Sequence, residues 1–197
     1  MTADHRKGPR RRGDKLNDAI YAATIDELKE NGYPALTMDR VADRARTSKA
    51  SLYRRWANKT DLVMDALVHS FPTPEELPTT GTLRGDLVAV LRHMATIMAG
   101  PLGEVARRVL ADSIADPEIS RLARQRFVDR RHDLFLKILC RSAERGEVRA
   151  GALTPRVASV GPCLLRDYFL LNSTPIPDSV IDEIVDDVLI PLVAATT

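Results

Sequence analysis

Apolar residues recur every three or four positions along most of this chain, and proline or glycine ends each such run. No stretch keeps the alternation of apolar and polar residues that a half-buried strand shows. The chain is therefore predicted to be all-α, with about nine helices. These helices fall on either side of a segment from Phe71 to Gly81 that carries three prolines. The segment predicts two domains, at 14–71 and 72–197, behind an N-terminal arm at 1–13.

The helices of the first domain are short, and residues that cap helices bound them. Thr37 and Ser48 can each cap a helix of about two turns, which is too short to persist alone in water. These helices must therefore pack on each other and on the preceding helix, which Gly32 ends. The predicted helices are about 15–31, 37–44, 48–55 and 58–70 in the first domain, and 82–99, 102–115, 117–145, 155–171 and 177–195 in the second.

The charges of the two domains differ. Residues 1–71 hold 14 Lys and Arg against 10 Asp and Glu, whereas the remainder holds 15 against 17. The basic residues form two clusters, and no acidic residue interrupts the second. Such an imbalance indicates a polyanionic partner for the first domain. The clusters are Arg6, Lys7, Arg10, Arg11 and Arg12, and then Arg44, Arg46, Lys49, Arg54, Arg55 and Lys59.

Two short helices joined by about three residues, the second of them basic, are typical of a helix-turn-helix. In that motif the first turn of the second helix reaches base edges in the major groove, and flanking side chains meet phosphates. The positive end of the helix dipole also favours phosphate. The predicted base-reading residues are Ser48, Lys49 and Ser51, and the predicted phosphate contacts are Tyr53, Arg54 and Lys59.

A set of residues between positions 32 and 62 is more specific than the helix-turn-helix alone. It comprises Gly32-Tyr33, Leu36-Thr37, Val41-Ala42, Ala45, the run from Thr47 to Trp56, and Asn58-Lys59 through Leu62. These residues resemble the DNA-binding domain of the TetR family, whose members are bacterial transcription regulators and mostly repressors. The resemblance implies that Thr37 touches a phosphate, that Thr47 belongs to the DNA-binding set, and that Tyr53 and Lys59 bind phosphates.

Arg46 departs from the pattern of that family, which has a glycine in the turn. An arginine at this position either adopts a positive φ, at a cost of ~1 kcal/mol, or changes the turn. The pose of the recognition helix depends on which of these holds.

The basic arm has two interpretations. Arg10, Arg11 and Arg12 can enter a minor groove beside the main site, or the arm is a solvated tail. Both interpretations predict that the arm is disordered without DNA.

Two helices of the second domain are unusually apolar. Residues 157–171 are apolar nearly all round, and such a helix must be covered on every side. The last helix adds a wide apolar stripe. The pair is predicted to form a self-complementary dimer interface, and the alternative is that both helices complete the core. The predicted interface residues are Val160, Leu164, Tyr168, Ile181, Ile184 and Val188.

The resemblance also implies a small-molecule effector, enclosed among the central helices of the second domain. Its identity does not follow from the residues, and each candidate is also of a type common in protein cores. The candidate lining residues are Met94, Ile97, Met98, Leu110, Phe127, Tyr168 and Phe169, with His93 and Arg166 as polar contacts.

Other classes of function find little support in the sequence. The four histidines have no partner at i,i+4 and the two cysteines match no metal or redox spacing, so no metal is expected. No phosphate-binding loop or nucleophile elbow occurs, and neither an enzyme nor a cofactor is predicted. No apolar run approaches the roughly 18 residues that a membrane span needs. The chain is expected to be cytoplasmic.

The predicted function is a homodimeric, sequence-specific repressor that binds a palindromic operator in double-stranded DNA and is released by the effector. Two alternatives stay open. One is a helical ligand-binding sensor or carrier without operator specificity, and the other is an architectural protein that binds DNA without sequence preference. Salt-dependent and sequence-selective DNA binding separates the three.

Overall fold

The computed structural model describes residues 13–71, 76, 79–115 and 129–195. Within these ranges the chain forms helices, one isolated antiparallel bridge between Val148 and Ala194, and no strand, which confirms the all-α prediction. The helices are α1 (Asp14–Ala35), α2 (Met38–Arg44), α3 (Lys49–Tyr53), α4 (Lys59–His69), α5 (Leu83–Ala99), α6 (Pro101–Ala115), α7 (Asp129–Glu144), α8 (Pro155–Leu171) and α9, which is α-helical over Asp178–Glu183, π-helical over Ile184–Leu189 and α-helical again over Ile190–Val193.

The ends of the first four helices follow local signals. Thr37, Ser48 and Asn58 each cap the helix that follows them, accepting the backbone N–H three residues later at 2.9–3.3 Å. Gly32 ends the regular part of α1 with a φ of +71°, a conformation that favours glycine. Because these signals are local, the sequence predicts each of these ends to within about two residues.

The described residues divide into two compact units, and the first contains the residues up to Ser70 together with Gly100–Ala106. In this unit Trp56 is 3% exposed. Its indole N–H donates to Asp65 at 2.7 Å, and its ring meets the ring of Tyr21 edge-on at 5.7 Å. The indole therefore packs in the core with its polar group paired. Fully buried side chains of this unit are Ile20, Leu36, Val41, Leu52 and Leu62.

The second unit contains the other described residues and packs α5, α7, α8 and α9 together. Gly161 in α8 allows side chains of α9 and α7 to approach closely, because a Cβ at that position would lie 2.9 Å from Leu189 and 3.4 Å from Phe135. A larger residue would force the Leu189 side chain to move. Fully buried side chains here are Leu87, Leu91, Met94, Ile138, Leu165, Phe169 and Ile181.

A buried carboxylate connects α5 to α7. Asp86 is 0% exposed and accepts hydrogen bonds from the backbone and hydroxyl of Thr80 and from Arg141, at 2.7–3.1 Å. Burial opposes its ionisation, but the bonds from Thr80 and the charge of Arg141 prevail and lower the pKa of Asp86. The group is thus a satisfied core anion.

No helix of the described residues is both long enough and apolar enough to cross a membrane. In the same part of the chain, no three His, Cys, Asp or Glu side chains gather as they would around a metal ion.

Candidate nucleic-acid interface

The turn between α2 and α3 sets the direction of α3. The N–H groups of Arg46 and Thr47 donate to the carbonyls of Asp43 and Ala42, at 3.1 and 2.9 Å, which is the Schellman pattern of helix termination. This pattern needs a residue in the left-handed region, and Arg46 supplies it with a φ of +53°. The turn therefore has the geometry that a glycine would give, and the arginine is strained by ~1 kcal/mol.

Most of the first turn of α3 faces solvent, but Ser51, which is one of the predicted base-reading residues, is buried. Ser48, Lys49 and Ala50 are exposed. The prediction for Ser51 is wrong, because this residue is 5% exposed and its hydroxyl accepts a hydrogen bond from Arg55 at 2.9 Å. A hydroxyl enclosed in this way cannot reach a base edge. Ala50 is absent from the predicted set because it has no polar group that would single it out.

Lys49 is paired within the protein. Its Nζ lies 2.7 Å from Oδ1 and 2.9 Å from Oδ2 of Asp39, which stands in the first turn of α2. The hydrogen bond and charge of Asp39 raise the pKa of Lys49 above its ordinary value. Both side chains are more than half exposed, so the pair is accessible and can exchange partners.

The other predicted DNA contacts surround this turn. Tyr53 is 50% exposed, and its ring centroid lies 5.9 Å from the ammonium of Lys49. Arg54 and Thr37 are exposed, and Thr47 is partly buried. All four therefore remain candidates for phosphate contacts. Arg10, Arg11 and Arg12 lie outside the described residues.

Lys59 has a structural role that the sequence did not predict. Its ammonium donates to the carbonyls of Tyr33 and Leu36, each at 3.1 Å, and it lies 4.6 Å from the centroid of the Tyr33 ring. The carbonyl of Tyr33 lies in the last turn of α1, and that of Leu36 lies in the connection to α2. The ammonium is thus already bonded to the backbone of its own chain, which argues against the predicted phosphate contact and favours a role in holding this part of the fold.

A second buried carboxylate holds α2 against α1. Glu27 is 3% exposed and accepts one hydrogen bond each from Arg40 and Arg44, both at 2.8 Å. Burial opposes the ionisation of Glu27, yet its bonds to the two arginines outweigh this and lower the pKa of the carboxyl. The sequence contains the signal, since Glu27 follows Ile20 by seven positions and so shares its buried helix face.

The predicted effector residues divide between the core and the surface of the second unit. Met94 and Phe169 are 1% exposed, and the guanidinium of Arg107 covers the Phe169 ring at 4.2 Å from its centroid. His93 is exposed, so its prediction as a polar group inside a pocket is wrong. Phe127 lies outside the described residues. The remaining candidates are buried (Met98) or partly buried (Ile97, Leu110, Arg166 and Tyr168).

The predicted dimer interface is corrected at two positions. Ile181 and Ile184 are 1% and 7% exposed in the single chain, so they complete its core and no partner can reach them. Leu171, which is absent from the predicted set, is 77% exposed. We call a set of five apolar residues that stay wholly or partly exposed on α8 and α9 the outer apolar face. It consists of Val160, Leu164, Tyr168, Leu171 and Val188.

Two family models match the chain. The model for bacterial regulatory proteins of the tetR family matches residues 20–66, which include the whole of the helix-turn-helix. The model for the tetracyclin repressor-like C-terminal domain matches residues 77–188. Together they span both units.

Individual relatives agree with these matches. The chain is 32% identical over 178 residues to the uncharacterized HTH-type transcriptional regulator Rv1556 of Mycobacterium tuberculosis, covering 90% of this chain and 88% of the relative. It is 32% identical over 186 residues to the DNA-binding transcriptional repressor TetR of Mycobacteroides abscessus, covering 92% and 96%. The crystal structure of the TetR family transcription regulator SCO0332 superposes with a TM-score of 0.73 at 24% identity, covering 89% of this chain and 99% of that one.

Proposed function

This chain belongs to the TetR family of helix-turn-helix transcriptional regulators, and we propose that it is a repressor that binds a palindromic operator as a homodimer and leaves it when a small effector binds. The main support for the proposal is the exposed first turn of α3 with the ammonium of Lys49, because this turn lies inside the segment that matches the family model for tetR regulatory proteins. The relative from Mycobacteroides abscessus is named a repressor, which supports this direction of control. Proteins of this family are regulators and not enzymes.

We assign DNA binding to residues 14–71. Ser48 and Lys49 read base edges in the major groove, since both are exposed in the turn that reaches them. Contacts to the phosphate backbone of the DNA come from exposed or partly exposed side chains around that turn. The N-terminal arm adds contacts in the minor groove. The proposed backbone set is Thr37, Thr47, Tyr53 and Arg54, and the proposed arm residues are Arg10, Arg11 and Arg12.

The dimer places two recognition helices on one face of the duplex. A two-fold dimer reads half-sites about one DNA turn apart, ~34–36 Å, and this symmetry requires a palindrome. The outer apolar face supports the assignment of the interface to α8 and α9, because Val160, Leu164, Tyr168 and Leu171 follow one another at helical spacing along one side of α8. A face of this kind meets its own copy in an isologous contact.

Effector control belongs to residues 72–197. The effector must favour the released form by several kcal/mol to take an operator from mostly bound to mostly free. We place its apolar contacts at Met94, Met98 and Phe169, with Arg166 as a polar contact, and α4 as the helix that transmits the change. A regulator of this kind acts in the cytoplasm, where the DNA is.

A selection of genomic DNA fragments on the purified protein tests the proposal, repeated at low and at physiological salt. The expected result is one short inverted repeat that survives at physiological salt. Fragments without a common motif, lost as the salt rises, would leave only charge attraction and favour an architectural protein. Failure to retain DNA at any salt would favour a ligand sensor or carrier.

A further inference from the structure

An ion pair joins the two helices of the motif at the turn that meets DNA in the proposed function. Asp39 stands at the second position of α2 and Lys49 at the first position of α3. Both carboxylate oxygens of Asp39 lie within 2.9 Å of the Lys49 ammonium. An acid in the first turn of α2 also suits the helix dipole, but the dipole alone does not require both oxygens to lie against one lysine.

We propose that Asp39 is a specificity-determining residue, because its carboxylate holds the Lys49 ammonium and so keeps that charge away from the phosphates of non-cognate DNA. The inference rests on the proposed DNA-binding function. Asp39 does not itself attract DNA, since a carboxylate repels the phosphate backbone.

The physical argument compares two kinds of DNA. Non-specific affinity comes almost entirely from lysine and arginine on phosphates, and a lysine that is already paired adds little to it. A cognate base edge offers more, because guanine presents two acceptors, O6 and N7, to a lysine in the major groove. An exposed ion pair is weak and exchanges its partner readily. Asp39 therefore lowers the affinity for DNA of every sequence, and this loss is offset only where Lys49 finds base acceptors. A penalty against wrong partners produces specificity in this way.

The variant Asp39→Asn in the full-length protein tests this role by salt titration on random-sequence duplex DNA and on the inverted repeat recovered by the selection. We expect the affinity for random DNA to rise about threefold to tenfold at low salt, with a salt slope steeper by about one unit per head. Affinity for the inverted repeat should change less, so that discrimination falls. The control is Asp26→Asn, which makes the same change of charge at an exposed position of α1 and should leave discrimination unchanged.

A double-mutant cycle with Lys49→Ala identifies the route of the effect. If Asp39 acts through Lys49, the loss of discrimination caused by Asp39→Asn disappears in the Lys49→Ala background, where only the general gain from removing one negative charge remains. A loss of discrimination that persists there, or one no larger than that of Asp26→Asn, would overturn the inference. So would a selective loss of affinity for the inverted repeat, which would make Asp39 itself a base reader. A wild-type protein that binds no duplex at any salt would overturn the proposed function and this inference together, whereas wild-type discrimination with an inert Asp39→Asn overturns the inference alone.

Discussion

In the first unit, some individual polar side chains face solvent, whereas others form hydrogen bonds that hold the unit together. Ser51 and Lys59 resemble DNA contacts in the sequence, yet each is hydrogen-bonded within the unit. Glu27 has no counterpart among the predicted residues, although it binds two arginines of α2. Side-chain chemistry alone does not separate these cases, because a lysine suits a carbonyl as well as a phosphate.

The variant Lys59→Ala tests the structural role of this lysine. We expect a loss of about 1–2 kcal/mol in the free energy of unfolding, since two carbonyls lose a charged donor at a partly buried site. The salt slope of DNA binding should stay unchanged. Thermal denaturation and salt titration measure the two quantities, with Lys29→Ala at an exposed position of α1 as the control. A slope reduced by about one unit per head, at unchanged stability, would return Lys59 to the phosphate contacts.

The variant Glu27→Gln tests the buried carboxylate. At neutral pH we expect it to lose about 2 kcal/mol of stability, less than the full cost of breaking a buried pair because both arginines are partly exposed. The pKa of Glu27 is lower in the folded protein than its ordinary value of 4.5. Its stabilisation is therefore complete above that value and is lost as the pH falls through the folded pKa.

Chemical denaturation of both proteins from neutral to acidic pH checks this sign. The difference between wild type and Glu27→Gln should narrow as the pH falls below 4.5. The matched control is Glu30→Gln, which removes the exposed second partner of Arg44 and should have the smaller effect. A difference that stays constant across the whole pH range would show that the charge of Glu27 is not what stabilises α2.

The turn of the motif is the element whose geometry the sequence left open. Arg46 occupies a left-handed position with a φ of +53°, which costs ~1 kcal/mol for a residue with a Cβ and more for a β-branched one. We expect unfolding stability at this position to fall in the order Gly, Arg, Val, with Arg46→Val the least stable by about 1–2 kcal/mol. The step from Arg to Gly is smaller, because glycine also raises the entropy of the unfolded chain. Equal stability of all three would mean that the turn relaxes away from the Schellman geometry.

Helix ends and helix faces differ in how far the sequence predicts them. The caps at Thr37 and Ser48 are interactions over three residues, and the sequence predicts them correctly. The sequence predicts Ile181 and Ile184 in a dimer interface, whereas both are buried in the core of the single chain. A stripe of apolar residues does not say whether its own chain or a second one covers it. Gly161 illustrates the information that an apolar stripe does not contain, which is the partner that the stripe packs against. Its approach to Leu189 brings α8 against α9, and that contact follows only from the tertiary fold.

The proposed dimer is a property of the whole molecule, and we assign its interface to the outer apolar face. Replacing Leu164 with Asp introduces a charge at a position that is 37% exposed in the single chain, so the chain itself should still fold. In the proposed dimer the same carboxylate would be buried twice, once from each chain, since an isologous contact uses the same residues of both copies. A buried charge without a partner is strongly destabilising, and the dimer should dissociate.

Sedimentation of Leu164→Asp should therefore give monomers at concentrations where the wild type is a dimer, with an unchanged helical circular dichroism spectrum. The control is Ser179→Asp, which adds the same charge at an exposed position in the first turn of α9 and should remain dimeric. Operator binding should be weakened in Leu164→Asp and retained in Ser179→Asp, because a monomer holds only one half-site and loses the affinity that two linked heads provide. A Leu164→Asp protein that sediments as a dimer would move the interface away from α8, and the palindrome would then have to be explained by another pair of faces.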